Sequence, residues 1–374
     1  MNTLCHKPRF FASARFATFS VILSSAALVC AARPALAQPE DAPAADPAEA
    51  PSGDPPAETP AAPPEDVAAA AAEPTPEPEA APDAAAAEPP AKPKPPPYSL
   101  PFQLRPVVAG NVVRSDTAIA FYKTPSAAPT EDSGTTVASM LLLSYKVAEG
   151  LAPLVRLGIV SNSPPEPAES ATGFLNPVLG VTYALNPLPP LKIGLFLGLT
   201  APIGSGGGND PEPKNAVANG AGILARSAMD NAMFAVNYFT VFPGVGIAYV
   251  ADGFTAQVEA TLLQLTRVRG DEIEKDKSRT NFTTGIHAGY FFAPFISAGV
   301  ELRHQRWIST PASVEADTTN TLRDNTTFAF GPRFHIQLND SMWLRPAIAL
   351  ALPIDDPMKD REYKIVQIDV PFVF

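Results

Sequence analysis

The residues of this chain that could do chemistry are few: four histidines, two cysteines, and arginines spaced among acids. Cys5 and Cys30 both fall in the first 37 residues, so a chain that has shed those residues has no thiolate nucleophile, disulfide or cysteine metal site. His287 and His335 lie on stretches whose alternation turns them to the same face, and the register places no serine beside either for acyl transfer. His287, His335 and Glu301 make a weak metal set, and polar lining is the expected role, with no metal and no cofactor. Asp355, Asp356 and Asp360 form an acidic group without a companion histidine, except for His304. His304 is followed by Gln305, Arg306 and Trp307, which reads as an interfacial polar belt. Gly206-Gly207-Gly208 lacks the strand-to-helix setting of a phosphate loop. No basic face suits nucleic acid. The sequence therefore predicts a protein that is not an enzyme.

Three regions must position what remains. Residues 1–37 carry Lys7, Arg9 and Arg15, then an apolar run from Phe16 to about Ala32, then Ala35-Leu36-Ala37. This is the pattern of a signal peptide, cleaved before Gln38. Residues 38–97 hold thirteen acids against Lys92 and Lys94, so they account for most of the net charge of −11. They are almost entirely Ala, Pro, Glu and Asp, with Val67 as the only large aliphatic residue. Such a segment cannot bury enough apolar surface to offset chain entropy. It is expected to be a disordered periplasmic tether, extending at most roughly 190 Å at about 3.1 Å per residue. It either reaches the cell wall or a periplasmic protein, or is an inert leader.

Residues 98–374 alternate apolar with small or polar residues in segments of about ten, the period of a strand with two unlike faces. Strands are expected near 101–122, 136–147, 151–161, 173–186, 190–202, 239–250, 253–267, 280–292, 294–307, 324–337, 341–352 and 363–374. Short and long connections alternate between them, as in a transmembrane barrel with tight periplasmic turns and long outer loops. Phe374, Phe372, Tyr290, Phe292, Phe254, Tyr249, Tyr183 and Tyr145 face outward at the short-turn end, as an interfacial aromatic girdle does. Outward prolines at 153, 177, 332, 346 and 106 predict local losses of pairing.

In the last strand, Phe374, Phe372, Val370, Ile368 and Val366 share one face. This terminal pattern resembles the C-terminal signature of Gram-negative outer-membrane β-barrels, and the likeness extends in kind over 99–374. The resemblance implies an all-β antiparallel transmembrane barrel of about 12 strands in the outer membrane, with lipid as its surroundings. It also implies that Phe374, Phe372 and Val370 are read by the assembly machinery.

The opposite parity lines the lumen. Arg105, Arg156, Lys192, Glu259, Glu301, Arg303, Arg333, Arg345 and Asp369 point inward among many glycines and alanines. Small residues leave room for water, and a surplus of bases raises the local concentration of anions. The expectation is a channel or transporter for small polar or anionic solutes. The alternative is a closed barrel that anchors the tether and displays surface loops. The loop 203–238 bears on that choice. It opens on glycines and continues as a short helix over 214–234, which either folds inward to constrict the pore or caps its outer mouth.

Overall fold

The computed structural model describes residues 98–124 and 133–374. The signal peptide and tether expected over 1–97 lie outside the described residues.

Twelve antiparallel strands form one closed barrel. They are β1 (Val112–Lys123), β2 (Ser133–Ser144), β3 (Leu151–Ser163), β4 (Ala171–Phe174 and Val178–Leu188), β5 (Leu191–Thr200) and β6 (Tyr238–Ala251). There follow β7 (Phe254–Arg267), β8 (Ser278–Ala293), β9 (Ile296–Trp307), β10 (Asp324–Phe334 with Ile336–Gln337), β11 (Trp343–Leu344 and Ala347–Pro353) and β12 (Lys364–Val373). Each strand pairs with its sequence neighbour, and β1 closes the barrel against β12 from Val112↔Val373 to Phe121↔Lys364. Closure removes every sheet edge, which a strand in lipid requires because no water can satisfy its backbone.

Burial alternates along the strands. In β7, Thr255, Gln257, Glu259 and Thr261 are buried while Phe254, Val258 and Leu262 are exposed. The outward residues are apolar, and the predicted girdle is present: Tyr145 and Phe292 are 60% and 69% exposed, and Tyr183, Tyr249, Phe254, Tyr290 and Phe374 are exposed with them. The prolines act as expected at three places. β4 is interrupted before Val178, β11 is interrupted between Leu344 and Ala347, and the β10–β11 ladder skips from Phe330 to Arg333 around Pro332.

The first strand differs from expectation. It begins at Val112, and Tyr98–Gly110 is not strand at all. Tyr98–Val107 lie inside the barrel, Pro106 among them, so that proline does not face lipid. Pro101 and Pro106 offer no N–H to a ladder, which removes any gain from joining the wall.

A second insertion comes from the β5–β6 connection. It holds α1 (Pro213–Ala225) and α2 (Asn231–Phe234). One helix was expected over 214–234; the chain instead breaks after Ala225, where Ser227 and Ala228 take φ of 52° and 53°. A Cβ on Gly222 would come within 2.4 Å of Phe234, so this glycine lets the two helices close on each other. A last short helix, α3 (Ala312–Glu315), lies in the β9–β10 loop.

Candidate solute pathway

The two insertions meet in the lumen. The first, Tyr98–Val107, is a plug without secondary structure, so its backbone must find partners among wall side chains. Ser99 N donates to Thr255 Oγ1 at 3.0 Å, and Tyr98 Oη donates to Gln257 Oε1 at 2.5 Å. Phe102 N donates to Glu301, and Arg105 N donates to Glu259 Oε2 at 2.5 Å. In return, Gln257 Nε2 donates to Arg105 O at 2.7 Å, and Gln367 Nε2 donates to Phe102 O at 3.2 Å.

The inward glycines make room for this plug. A Cβ on Gly194 or Gly246 would strike Val107, one on Gly285 would strike Leu104, and one on Gly289 would strike Ser99. The space they leave, expected to hold water, is filled by chain in this state.

The second insertion reaches the middle of the barrel. Arg226, at the end of α1, is fully buried and donates to both oxygens of Asp116 on β1 at 2.7 Å. Its Nε donates to Asp230 Oδ2 at 2.8 Å, and Arg156 on β3 pairs with Asp230 Oδ1 at 2.5 Å. Of the two roles open to loop 203–238, the inward fold is the one seen. Plug and loop also touch: Gln103 Nε2 donates to Arg226 O at 2.7 Å. Around the loop, Leu175, Met233 and Phe234 pack with Met140, Val160, Phe242, Leu263 and Leu265 in an apolar cluster in the outer half of the lumen. Tyr122 and Tyr363 stack there at 5.2 Å.

The predicted lumen residues fall into three groups. Arg105, Arg156, Glu259, Glu301, Arg303, Arg333 and Asp369 form the buried network. Arg105 pairs with Glu259, Arg303 with Glu301 at 2.8 Å, and Arg333 with Asp369 at 2.6 Å. These cations are therefore neutralised rather than free to set a field. Lys192 stands apart at the short-turn rim, bonded to Asn186 at 3.0 Å. Arg345 points inward with no ion pair among the described residues; its nearest ring is Trp343 at 5.4 Å.

Four members of the network escaped sequence reading. Arg114 and Asp116 were missed because the first strand was set too early, which spoiled its parity. Arg226 and Asp230 sit in a loop, where no periodicity marks direction. A serine also lies beside a histidine after all: Ser297 Oγ is 2.9 Å from His335 Nε2, through the β9–β10 pairing that sets Ser297 opposite Arg333. His335 has no carboxylate to orient it among the described residues, and His287 lies 3.6 Å from Glu301. Among those residues, no group of three His, Cys, Asp or Glu could hold a metal. In the last outer loop, Asp355 accepts from Thr326 N at 2.7 Å, and Asp356 raises the carboxyl of Asp360 by hydrogen bonding and repulsion.

The sequence profile of a family described as "Putative MetA-pathway of phenol degradation" matches residues 104–345. Among solved structures, the chain is similar to an outer membrane channel from Pseudomonas putida F1, at 14% identity and a TM-score of 0.44, over 73% of this chain and 98% of that one. It is also similar to the KdgM porin, at 9% identity and a TM-score of 0.38, over 70% of this chain and 99% of that one. A third likeness is to the CymD monoaromatic hydrocarbon channel, at 9% identity and a TM-score of 0.30, over 72% of this chain and 88% of that one. No curated protein matches the chain.

Proposed function

We propose that this chain, which belongs to the family whose profile spans most of its barrel, is a gated outer-membrane channel for small solutes. One observation carries the reading: the lumen holds inserted chain rather than only the side chains of its own wall. A barrel filled for stability alone is packed by large side chains of its own wall. Here the wall is glycine at 194, 246, 285 and 289, where the plug lies, and the plug is tied by side-chain hydrogen bonds and ion pairs. Such a segment can withdraw without breaking a strand ladder.

The cargo reading follows from what the wall keeps. Without plug and loop, Arg114, Arg156, Arg303, Arg333 and Arg345 would face Asp116, Glu259, Glu301 and Asp369. That near-balance suits small polar solutes, and its slight basic excess favours anions. The apolar cluster of the outer half suits a solute with an aromatic body as well, in keeping with the phenol degradation named in the family description. Outer-membrane lipid and the assembly machinery belong to this reading as partners, with residues 38–97 as the tether to the cell wall or a periplasmic protein.

The test is conductance of refolded 98–374 against 109–374 in a planar bilayer under a salt gradient. The longer chain should be nearly silent. The shorter should show discrete steps with a reversal potential of weak anion preference. A folded 109–374 barrel that stays silent when 209–232 is deleted as well would move the function to the tether and outer loops, as a closed anchor requires.

A further inference from the structure

At the short-turn end of the lumen, three strands contribute bases to one patch. Arg114 comes from β1, Arg333 and His335 from the β10 side, and Arg345 from the β11 side. The register brings them together. Arg114 faces Pro371 across the β1–β12 pairing, and Arg345 N donates to Pro371 O at 2.9 Å. Arg333 pairs with Ala347, two residues beyond Arg345. One carboxylate serves the whole patch: Asp369 accepts from Arg114 Nε at 2.6 Å and from Arg333 Nη2 at 2.6 Å. The other carboxylates nearby are matched elsewhere, Asp116 by Arg226 at 2.7 Å and Glu301 by Arg303 at 2.8 Å. Arg345 has no acid partner among the described residues, and its buried Nε has no hydrogen-bond acceptor. Two of the three guanidiniums thus share a single carboxylate, and the third has none among the described residues.

Plug carbonyls take up much of the remaining demand. Arg333 Nε donates to Leu100 O at 3.2 Å, and its Nη2 donates to Pro101 O at 3.0 Å. Arg114 Nη2 donates to Phe102 O, with Pro101 O at 3.5 Å. One edge of a guanidinium holding two oxygens side by side is the arrangement by which arginine grips a carboxylate. The plug supplies two neutral carbonyl oxygens where a carboxylate would bring two charged ones.

We propose that Arg114, Arg333 and Arg345 form a binding site for a carboxylate of the cargo, which the plug's carbonyls occupy in the closed barrel. The inference rests on the channel reading and adds a substrate class to it: a small monocarboxylate. Charge-assisted hydrogen bonds are about twice as strong as neutral ones, so a carboxylate outcompetes the carbonyls on a patch with excess positive charge. Binding and withdrawal of the plug are then one event. A neutral molecule of the same shape does not displace the plug.

The experiment is calorimetric titration of the full chain in detergent with sodium benzoate, and with benzamide as its neutral isostere. Benzoate should bind saturably and benzamide should not. Arg345→Gln should weaken benzoate by about tenfold or more, and so should Arg333→Lys, which keeps the charge and loses the two-pronged grip. A heat-dependent gel shift verifies that each variant is folded. The chain lacking 98–108 should bind benzoate more tightly than the full chain, because the competing carbonyls are gone. Equal binding of benzoate and benzamide overturns the site, as does benzoate binding that ignores both substitutions or the loss of the plug. Conductance separates this from the channel reading: a 109–374 barrel that conducts without binding benzoate loses the carboxylate site and keeps the channel, while one that stays silent with 209–232 deleted as well loses the channel.

Discussion

Asp369 illustrates how much rests on single buried charges. It lies on β12 and binds two arginines, Arg114 across the closing seam and Arg333 three strands from β1 around the barrel. Asp369→Asn leaves both guanidiniums buried without their shared counter-charge. Removing one partner of a buried pair costs about 3–5 kcal/mol, and urea unfolding in lipid vesicles should show a loss of that size. A loss below about 1 kcal/mol would mean that water screens the network as it screens a surface pair. The sequence revealed Asp369, Arg333 and Glu301 because each sits on a strand whose apolar outer face fixes the parity of the inner one. It did not reveal which cations were neutralised, because ion pairing depends on neighbours brought in by the plug and the loop. Arg345 could not be told from Arg333 by sequence, yet only Arg333 has an acid partner among the described residues.

Among the elements, the strands were legible and the insertions were not. From β2 onward the expected spans agree with the observed ones within a few residues, because lipid demands an apolar residue at every second position. The plug imitates that signal. Leu100, Phe102 and Leu104 alternate with Pro101, Gln103 and Arg105, since an extended chain in a polar pore also has two unlike sides. Only Pro101 and Pro106 mark the difference, and an outward Pro106 fits a wall strand as readily. The loop is harder still, for a helix of thirteen residues with buried Ala218, Asn219, Gly222 and Ala225 carries little amphipathic pattern. Its inward seat has a testable consequence: deleting 209–232 should raise the conductance of the barrel. An unchanged conductance would sink the idea that the loop constricts the path. Its hinge suits movement, since Gly206 and Gly208 take φ of 79° and 100°, which other residues rarely adopt.

On the scale of the whole molecule, the barrel is ordered from outside inward: lipid face, wall, then inserted chain. The outward end of β12 belongs to the first of these. Phe374 is 43% exposed and stacks on Phe372 at 5.7 Å, with Val370 on the same outward face. Phe374→Ala should therefore slow insertion into outer-membrane-like vesicles assisted by the assembly machinery, while the folded barrel keeps its gel shift. Insertion at the normal rate would remove Phe374 as a signal.

The plug is tied across the seam of the barrel. Arg114 on β1 holds Phe102 O, and Gln367 on β12 holds the same oxygen, so this pair of ties is complete only when the first strand has met the last. The same oxygen thus staples the two ends of the sheet from within, so the inserted chain reinforces the one ladder whose strands lie farthest apart in sequence.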